Sequence, residues 1–414
     1  MRSGTAPSGL RYAVRRSGSA VAYCALSIRV GTRDEAGFRG GIAHFTEHTI
    51  FRGTARKSAS VIGSYLDRLG GELNAYTTKE EIVLHATVLK EDLGKAARLL
   101  FELATEATFP DAEIETERGV VLDEIISYKD NPYEDVYDKF EGMLFDGHPL
   151  GKPILGTTAS VKRITPEDLR RFVKTFFVPG RMAFTVVADI DEKVLEKKAL
   201  RLVGDLFPNQ IPGHAGDDAK PAVIPGMTGN LPFDKTVDKH HHEVNAVIGS
   251  YAPSLYEEKD RITASLLVNY LGGPASNSLL NRELREKHGW VYSIECNYTQ
   301  YADTGIAAIA FGCDKPNLEA CLKAVGRILT ALRDEPVSER RLRAAKKQLL
   351  GQLAISSDNG EAQCLSMGKS LLAWGRIAPP GEIRAQIEAV TPEALQEMAR
   401  RIFDPTRLSR LIYL

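Results

Sequence analysis

Residues 390–414 read VTPEALQEMARRIFDPTRLSRLIYL, and they restate the helix-then-strand order of ITPEDLRRFVKTFF followed by RMAFTVVADI. Thr391, Pro392, Pro405 and Arg407 each stand 226 residues after Thr165, Pro166, Pro179 and Arg181, and Pro336 and Glu339 bear the same offset to Pro110 and Glu113. A chain that repeats itself once is constrained to build two similar units. In both copies the threonine is placed to cap a helix and the proline to occupy its first position. Between the copies, NQIPGHAGDDAKPAVIPGMTGNLP is rich in Pro, Gly and Asp and reads as a linker. The division this implies is an N-terminal half, 1–208, a linker, 209–232, and a C-terminal half, 233–414. Two halves also suit 414 residues, too many for one ordinary core.

Local patterns give the class of each half. VAYCALSIRVG has the apolar and β-branched density of a strand, and ELNAYTTKEEIVLHATVL alternates about a polar turn as a hairpin does. Helical spacing follows in SASVIGSYLDRL, KEDLGKAARLLFELATEATF and DAEIETERGVVLDEIISYKD, the last entered after Pro110. The expectation is an α+β protein of two homologous α/β-sandwich halves, each an antiparallel-rich sheet flanked by helices.

Charge excludes several classes of partner. Lys and Arg number 53 against 54 Asp and Glu, so no global field attracts nucleic acid or an anionic membrane. Five scattered cysteines without a CxxC pair argue against a disulfide framework or a zinc ribbon and read as reduced, packed thiols. No apolar run approaches a membrane span and the N-terminal stretch lacks a secretory apolar core, so a cytoplasmic location is expected, with a removed signal as the alternative.

Against this background one stretch carries chemistry: His44-Phe45-Thr46-Glu47-His48 within GGIAHFTEHTIFRGT. Histidines four apart on a helix point the same way and can share a cation, and Glu47 stands beside them without being a ligand. The bland alternative is two surface histidines. Catalytic zinc takes a third protein donor. Glu117 and Glu124, seven residues apart, share a face of the helix after Pro110, with Glu113 one turn before Glu117. Val120, Val121 and Ile125 suggest that this helix is substantially buried, where carboxylates want a cation rather than water. The repeat is an internal control: at the 226-residue offset Glu117 meets Arg343, Glu124 meets Leu350, and the stretch SLLVNYLGG has no histidine. The chemistry is therefore expected in the first half alone.

HxxEH followed by a glutamate 76 residues later resembles the inverted zincins of the pitrilysin, insulin-degrading enzyme and mitochondrial processing peptidase family. FRGT, LDRLGGELNAYT, ETERGVVLDEI and HPLGKPILGT resemble family blocks in the family's order, and GGPASNSLLNRELREKHGWVYS resembles its C-terminal Arg and Tyr block. The resemblance implies a zinc metalloendopeptidase with one zinc per chain: His44, His48 and Glu124 as ligands, Glu47 as general base and Glu117 as a supporting carboxylate. It implies Arg285 and Tyr292 as substrate-binding and catalytic partners, which local sequence alone would read as an exposed helix end and a core tyrosine. Asn74-Ala75-Tyr76, in the hairpin beside Gly70-Gly71, is a candidate edge strand for an extended peptide, which the resemblance supports, with an ordinary paired strand as the alternative. The resemblance also implies that two chains form a homodimer in which Arg285 and Tyr292 serve the partner's site. The alternatives are a non-catalytic scaffold of the same fold and the catalytic half of a heterodimer.

Other conspicuous residues read as structural. His85 falls in the hairpin's second arm, His240, His241 and His242 precede the strand NAVIGSYAP and cannot easily converge on one metal, and Cys296 lacks a nearby activating pair.

Overall fold

The computed structural model of the chain describes residues 1–208 and 231–414. The linker expected at 209–232 lies, except for its last two residues, outside the described residues.

The first sheet contains β1 (Arg2–Thr5), β2 (Arg11–Arg16), β3 (Val21–Ile28), β4 (Glu72–Thr77), β5 (Ile82–Leu89) and β6 (Met182–Ala188). Its order is β1-β2-β6-β3-β5-β4, with β2 and β6 parallel and every other neighbour antiparallel. Alternation on the strands sorts side chains between two buried faces. Cys24, Leu26 and Ile28 of β3 and Phe184 and Val186 of β6 face the main core, shared with the helices Ile42–Thr49 and Leu93–Glu106. Ala25, Ala183 and Val187 face the opposite way, against Cys364, Met367 and Leu371 of the helix Gly360–Trp374. That helix lies close: Thr185 Oγ1 donates to the Cys364 carbonyl at 2.9 Å, and a Cβ on Gly368 would stand 2.4 Å from Ser27 Oγ.

The second sheet contains β7 (Asp234–Val237), β8 (Glu243–Ala252), β9 (Val291–Gln300), β10 (Gly305–Asp314) and β11 (Ser409–Tyr413), in the order β7-β11-β8-β10-β9. Only β7 and β11 are parallel. This reproduces β2-β6-β3-β5-β4 strand for strand, parallel pair included, so the sequence repeat is a repeat of topology. The capped helices match as well: Thr165 and Thr391 each accept a backbone N–H at the head of Pro166–Phe176 and Pro392–Ile402. In this unit the helix Pro132–Leu144 supplies Val136, Phe140 and Leu144 to the sheet face bearing Val247, Ala308 and Leu411.

The two compact units are not uninterrupted halves. The first takes Met1–Ser127, the described part of Lys152–Asp218, and Ile355–Ala378; the second takes Tyr128–Gly151, the described part of Ala219–Ala354, and Pro379–Leu414. The division drawn from the sequence, 1–208 and 233–414, therefore has each half lending one helix-bearing segment to the other's unit. The reason is burial: each sheet has a second apolar face, and the helix that covers it comes from the other repeat.

Candidate metal centre

The helix Ile42–Thr49 is entered through Gly40-Gly41, which interlocks with a second glycine turn. Gly41 has φ 88°, and a Cβ there would meet the Leu155 carbonyl at 2.8 Å; Gly156 has φ 72°, and its Cβ would meet the Gly40 carbonyl at 2.6 Å. Only glycine permits both the left-handed backbone and the close approach. No side chain at Gly41 caps the helix, and Glu35 does so instead, accepting from the backbone N–H of Gly41 and of Ala43 at 3.0 Å. Burial pushes the Glu35 carboxyl up to about 7, against the pull of those two N–H groups.

Ile42, Ala43 and Phe45 anchor the helix in the core, leaving the His44 and His48 rings one turn apart, edge to face, with centroids 4.6 Å apart and planes at 61°. They meet the helix Asp111–Asp130, which buries the stripe Ile114, Glu117, Val121 and Ile125. The expectation of a substantially buried helix is corrected to one stripe: Val120 and Ile126 are exposed, because they fall on the turn facing water. Arg118 holds this helix in place, donating to the carbonyls of Val161 and Ile164 and lying 5.3 Å over the Phe45 ring.

Three donors converge. Glu124 Oε2 lies 3.7 Å from His44 Nε2 and 3.4 Å from His48 Nε2. One ligand atom from each of His44, His48 and Glu124 falls within 4.8 Å of the others, the one such group of His, Cys, Asp or Glu side chains among the described residues. Glu113 is outside it. Glu124 Oε2 is a buried oxygen with no hydrogen-bond partner, an arrangement that is costly in an apoprotein and suits a cation. Two imidazoles and a carboxylate are a donor set that zinc accepts, so the residues fit the group. Burial pushes the His44 imidazole down to about 4, helped by the neighbouring His48, which keeps a lone pair available. Burial also presses His48 down, but the carboxylates of Glu124 and Glu117 beside it outweigh it and hold that imidazole above its usual value.

Glu117, almost fully buried, accepts from His48 Nδ1 at 3.1 Å through Oε2 and pairs with Arg52 through Oε1. Glu47 points past the donors to the sheet, where Thr77 Oγ1 donates to its Oε2 at 2.9 Å. Burial raises the Glu47 carboxyl, with Thr77 and His48 opposing. Thr77 ends β4, the edge of the sheet, so Asn74, Ala75 and Tyr76 lie on a strand paired only with β5. Sequence reasoning missed Thr77, Arg52 and Glu35; Arg52 alone had a signal, standing four residues after His48 and hence on its face.

Arg285 and Tyr292 lie in the second unit. Arg285 lines a cavity of about 540 Å³ with Asn269, Glu295 and Cys296. Tyr292, on the edge strand β9, is 57% exposed and donates to Asp314 Oδ1 at 2.6 Å, so the core position its local sequence suggests is not where it sits. His85 pairs with Glu361 at 3.0 Å on the sheet face away from the donors. His240 is exposed with φ 60° ahead of β8. All five cysteines are buried and free. Among the described residues no helix is long and apolar enough to cross a membrane.

Fold and site together describe a two-unit α+β protein with a cluster fit for a metal in one unit. The chain belongs to the M16 peptidase, or pitrilysin, family. Residues 11–158 match the profile described as "Insulinase (Peptidase family M16)", and residues 163–349 match "Peptidase M16 inactive domain". The chain is 30% identical over 375 residues to an uncharacterized zinc protease of Mycobacterium tuberculosis, covering 91% of this chain and 84% of that one. It is 28% identical over 401 residues to the uncharacterized zinc protease YmxG of Bacillus subtilis, covering 96% and 95%. A protease from Helicobacter pylori shares the fold with a TM-score of 0.88 at 20% identity, covering 100% of this chain and 98% of that one. A peptidase M16 inactive domain from Pseudomonas fluorescens does so at 0.86 and 17%, covering 100% and 97%.

Proposed function

We propose that this chain is a zinc-dependent metalloendopeptidase of the processing-peptidase type, cutting peptides or unstructured polypeptide segments. The observation that carries the reading is the convergence of His44 Nε2, His48 Nε2 and Glu124 Oε2 beside Glu47, itself tied to the end of an open edge strand. His44, His48 and Glu124 would hold the zinc, which would supply a Lewis acid and lower the pKa of a bound water towards neutrality. Thr77 occupies Glu47 Oε2, so Oε1 is the oxygen that takes the proton of the attacking water and returns it to the amide nitrogen as the bond breaks. An extended substrate adds to β4 alongside Asn74, Ala75 and Tyr76 by backbone pairing, which reads shape more than sequence.

Arg285 and Tyr292 serve the substrate in this reading, the guanidinium pairing with a carbonyl or carboxylate and the hydroxyl donating to the developing oxyanion. A homodimer supplies them from the second copy. Mixing Arg285→Ala with Glu47→Gln is expected to restore cleavage that neither variant shows alone; absence of rescue removes action in trans. A scaffold role is disfavoured by the complete donor set, and a heterodimer by the presence of both residue sets in one chain. The decisive experiment is cleavage of an unstructured peptide, expected to be lost on zinc chelation and in Glu47→Gln. Full activity in Glu47→Gln overturns the mechanism.

A further inference from the structure

Glu117 is a carboxylate with 2% of its side chain exposed, and such a group is costly unless charges and hydrogen bonds hold it. Two side chains do so, and both come from one stretch. His48 Nδ1 meets Oε2 at 3.1 Å, and the Arg52 guanidinium meets Oε1 from the short turn Ile50–Arg52 that directly continues the motif helix. His48 and Arg52 are four residues apart, so one helical face presents both to the same carboxylate.

We propose that Arg52 is a positioning residue for the metal centre: it anchors Glu117 so that Glu117 fixes the ring of His48. The proposal rests on His48 being a zinc ligand. An imidazole that donates Nδ1–H to Glu117 keeps its lone pair on Nε2, and Nε2 is the nitrogen that faces Glu124 Oε2 at 3.4 Å. Ring orientation and tautomer are then set together. A lone carboxylate on a three-bond side chain would swing; the Arg52 Nη2 on its other oxygen removes that freedom. The functional motif thus extends from HxxEH by four residues, to Arg52.

The test is zinc affinity by chelator competition, with no substrate present. Arg52→Ala is expected to weaken zinc binding by about 10- to 100-fold, the scale on which partners of a ligand act, and Arg52→Lys to recover part of the loss. In Glu117→Gln the arginine has no charge to anchor, so adding Arg52→Ala to it should cost less than in the unaltered chain. Long-range ¹H–¹⁵N spectra of the zinc-loaded protein should show the His48 Nδ1–H in the unaltered chain and its broadening in Arg52→Ala. Circular dichroism and thermal melts establish that the variants are folded, and if Arg52→Ala is not, Arg52→Lys and the Glu117→Gln background carry the comparison. Unchanged zinc affinity in folded Arg52→Ala, or equal losses in both backgrounds, overturns the proposal. Failure of the unaltered chain to bind zinc overturns the peptidase reading itself, a different result from a zinc-binding chain indifferent to Arg52.

Discussion

Glu47 shows how one hydrogen bond divides the labour of a carboxylate. Its Oε2 accepts from Thr77, and in the proposed mechanism Oε1 is the oxygen that takes the proton. Thr77→Val keeps the shape and removes the donor. It should lower kcat roughly tenfold, the worth of a hydrogen bond to a charged group at about 1.5 kcal/mol, with little change in KM. Steady-state kinetics on one unstructured peptide decide it, and an unchanged kcat removes Thr77 from the mechanism. Glu35 carries a different consequence, for stability against pH. Its carboxyl is raised to about 7 in the fold from about 4.5, so between those values the native state holds a proton that the unfolded chain has released. The proton count therefore favours the native state at the acid end, and this contribution falls as pH rises through the window, by about 3 kcal/mol in all. Urea unfolding of the chelator-treated protein at pH 5, 6, 7 and 8 should show that decline in the unaltered chain relative to Glu35→Gln. Parallel curves would place the Glu35 carboxyl at an ordinary value.

At the scale of elements, the site depends on glycine turns as much as on its donors. Gly156 combines φ 72° with a Cβ position 2.6 Å from the Gly40 carbonyl, directly before the motif helix. Gly156→Ala should cost about 1–2 kcal/mol from the left-handed backbone alone, more with the clash against the Gly40 carbonyl, and should weaken zinc binding because the helix start must shift. A variant with normal stability and zinc affinity would show that the two turns move independently. Gly368→Val tests a different element: its side chain would drive into Ser27 on the sheet, with an expected loss of about 1–3 kcal/mol and no direct effect on the donors. Much of this level was legible in the sequence. The strands at Val21–Ile28, Met182–Ala188 and Glu243–Ala252, the hairpin, the Thr165 and Thr391 caps and the shared face of His44 and His48 follow from local pattern and residue type. Thr77 did not, because it meets Glu47 across 30 residues and nothing local distinguishes it from its neighbour Thr78. Val120 misled because an apolar residue beside Val121 reads as core until the helix's rotation is known.

For the whole molecule, the repeat disclosed two copies of one topology but not how the copies share their parts. The sequences of the helices Pro132–Leu144 and Gly360–Trp374 do not say which sheet they cover. Each covers a sheet built mainly from the other repeat, and this has a consequence that a simple two-domain chain would not show. A fragment of residues 1–208 retains all six strands of the first sheet and every proposed donor, yet it lacks Cys364, Met367 and Leu371 over Ala13, Ala25, Ala183 and Val187. It should expose that apolar face and be aggregated or molten when produced alone, binding a hydrophobic dye and giving a broad melt. Residues 233–414 should behave likewise, because Val136, Phe140 and Leu144 are absent from their own sheet. Produced together, the two fragments should associate, lose dye binding and recover a cooperative transition, since each supplies the other's missing layer. A fragment 1–208 that melts cooperatively by itself and holds zinc would show that the exchanged helix is dispensable to the site.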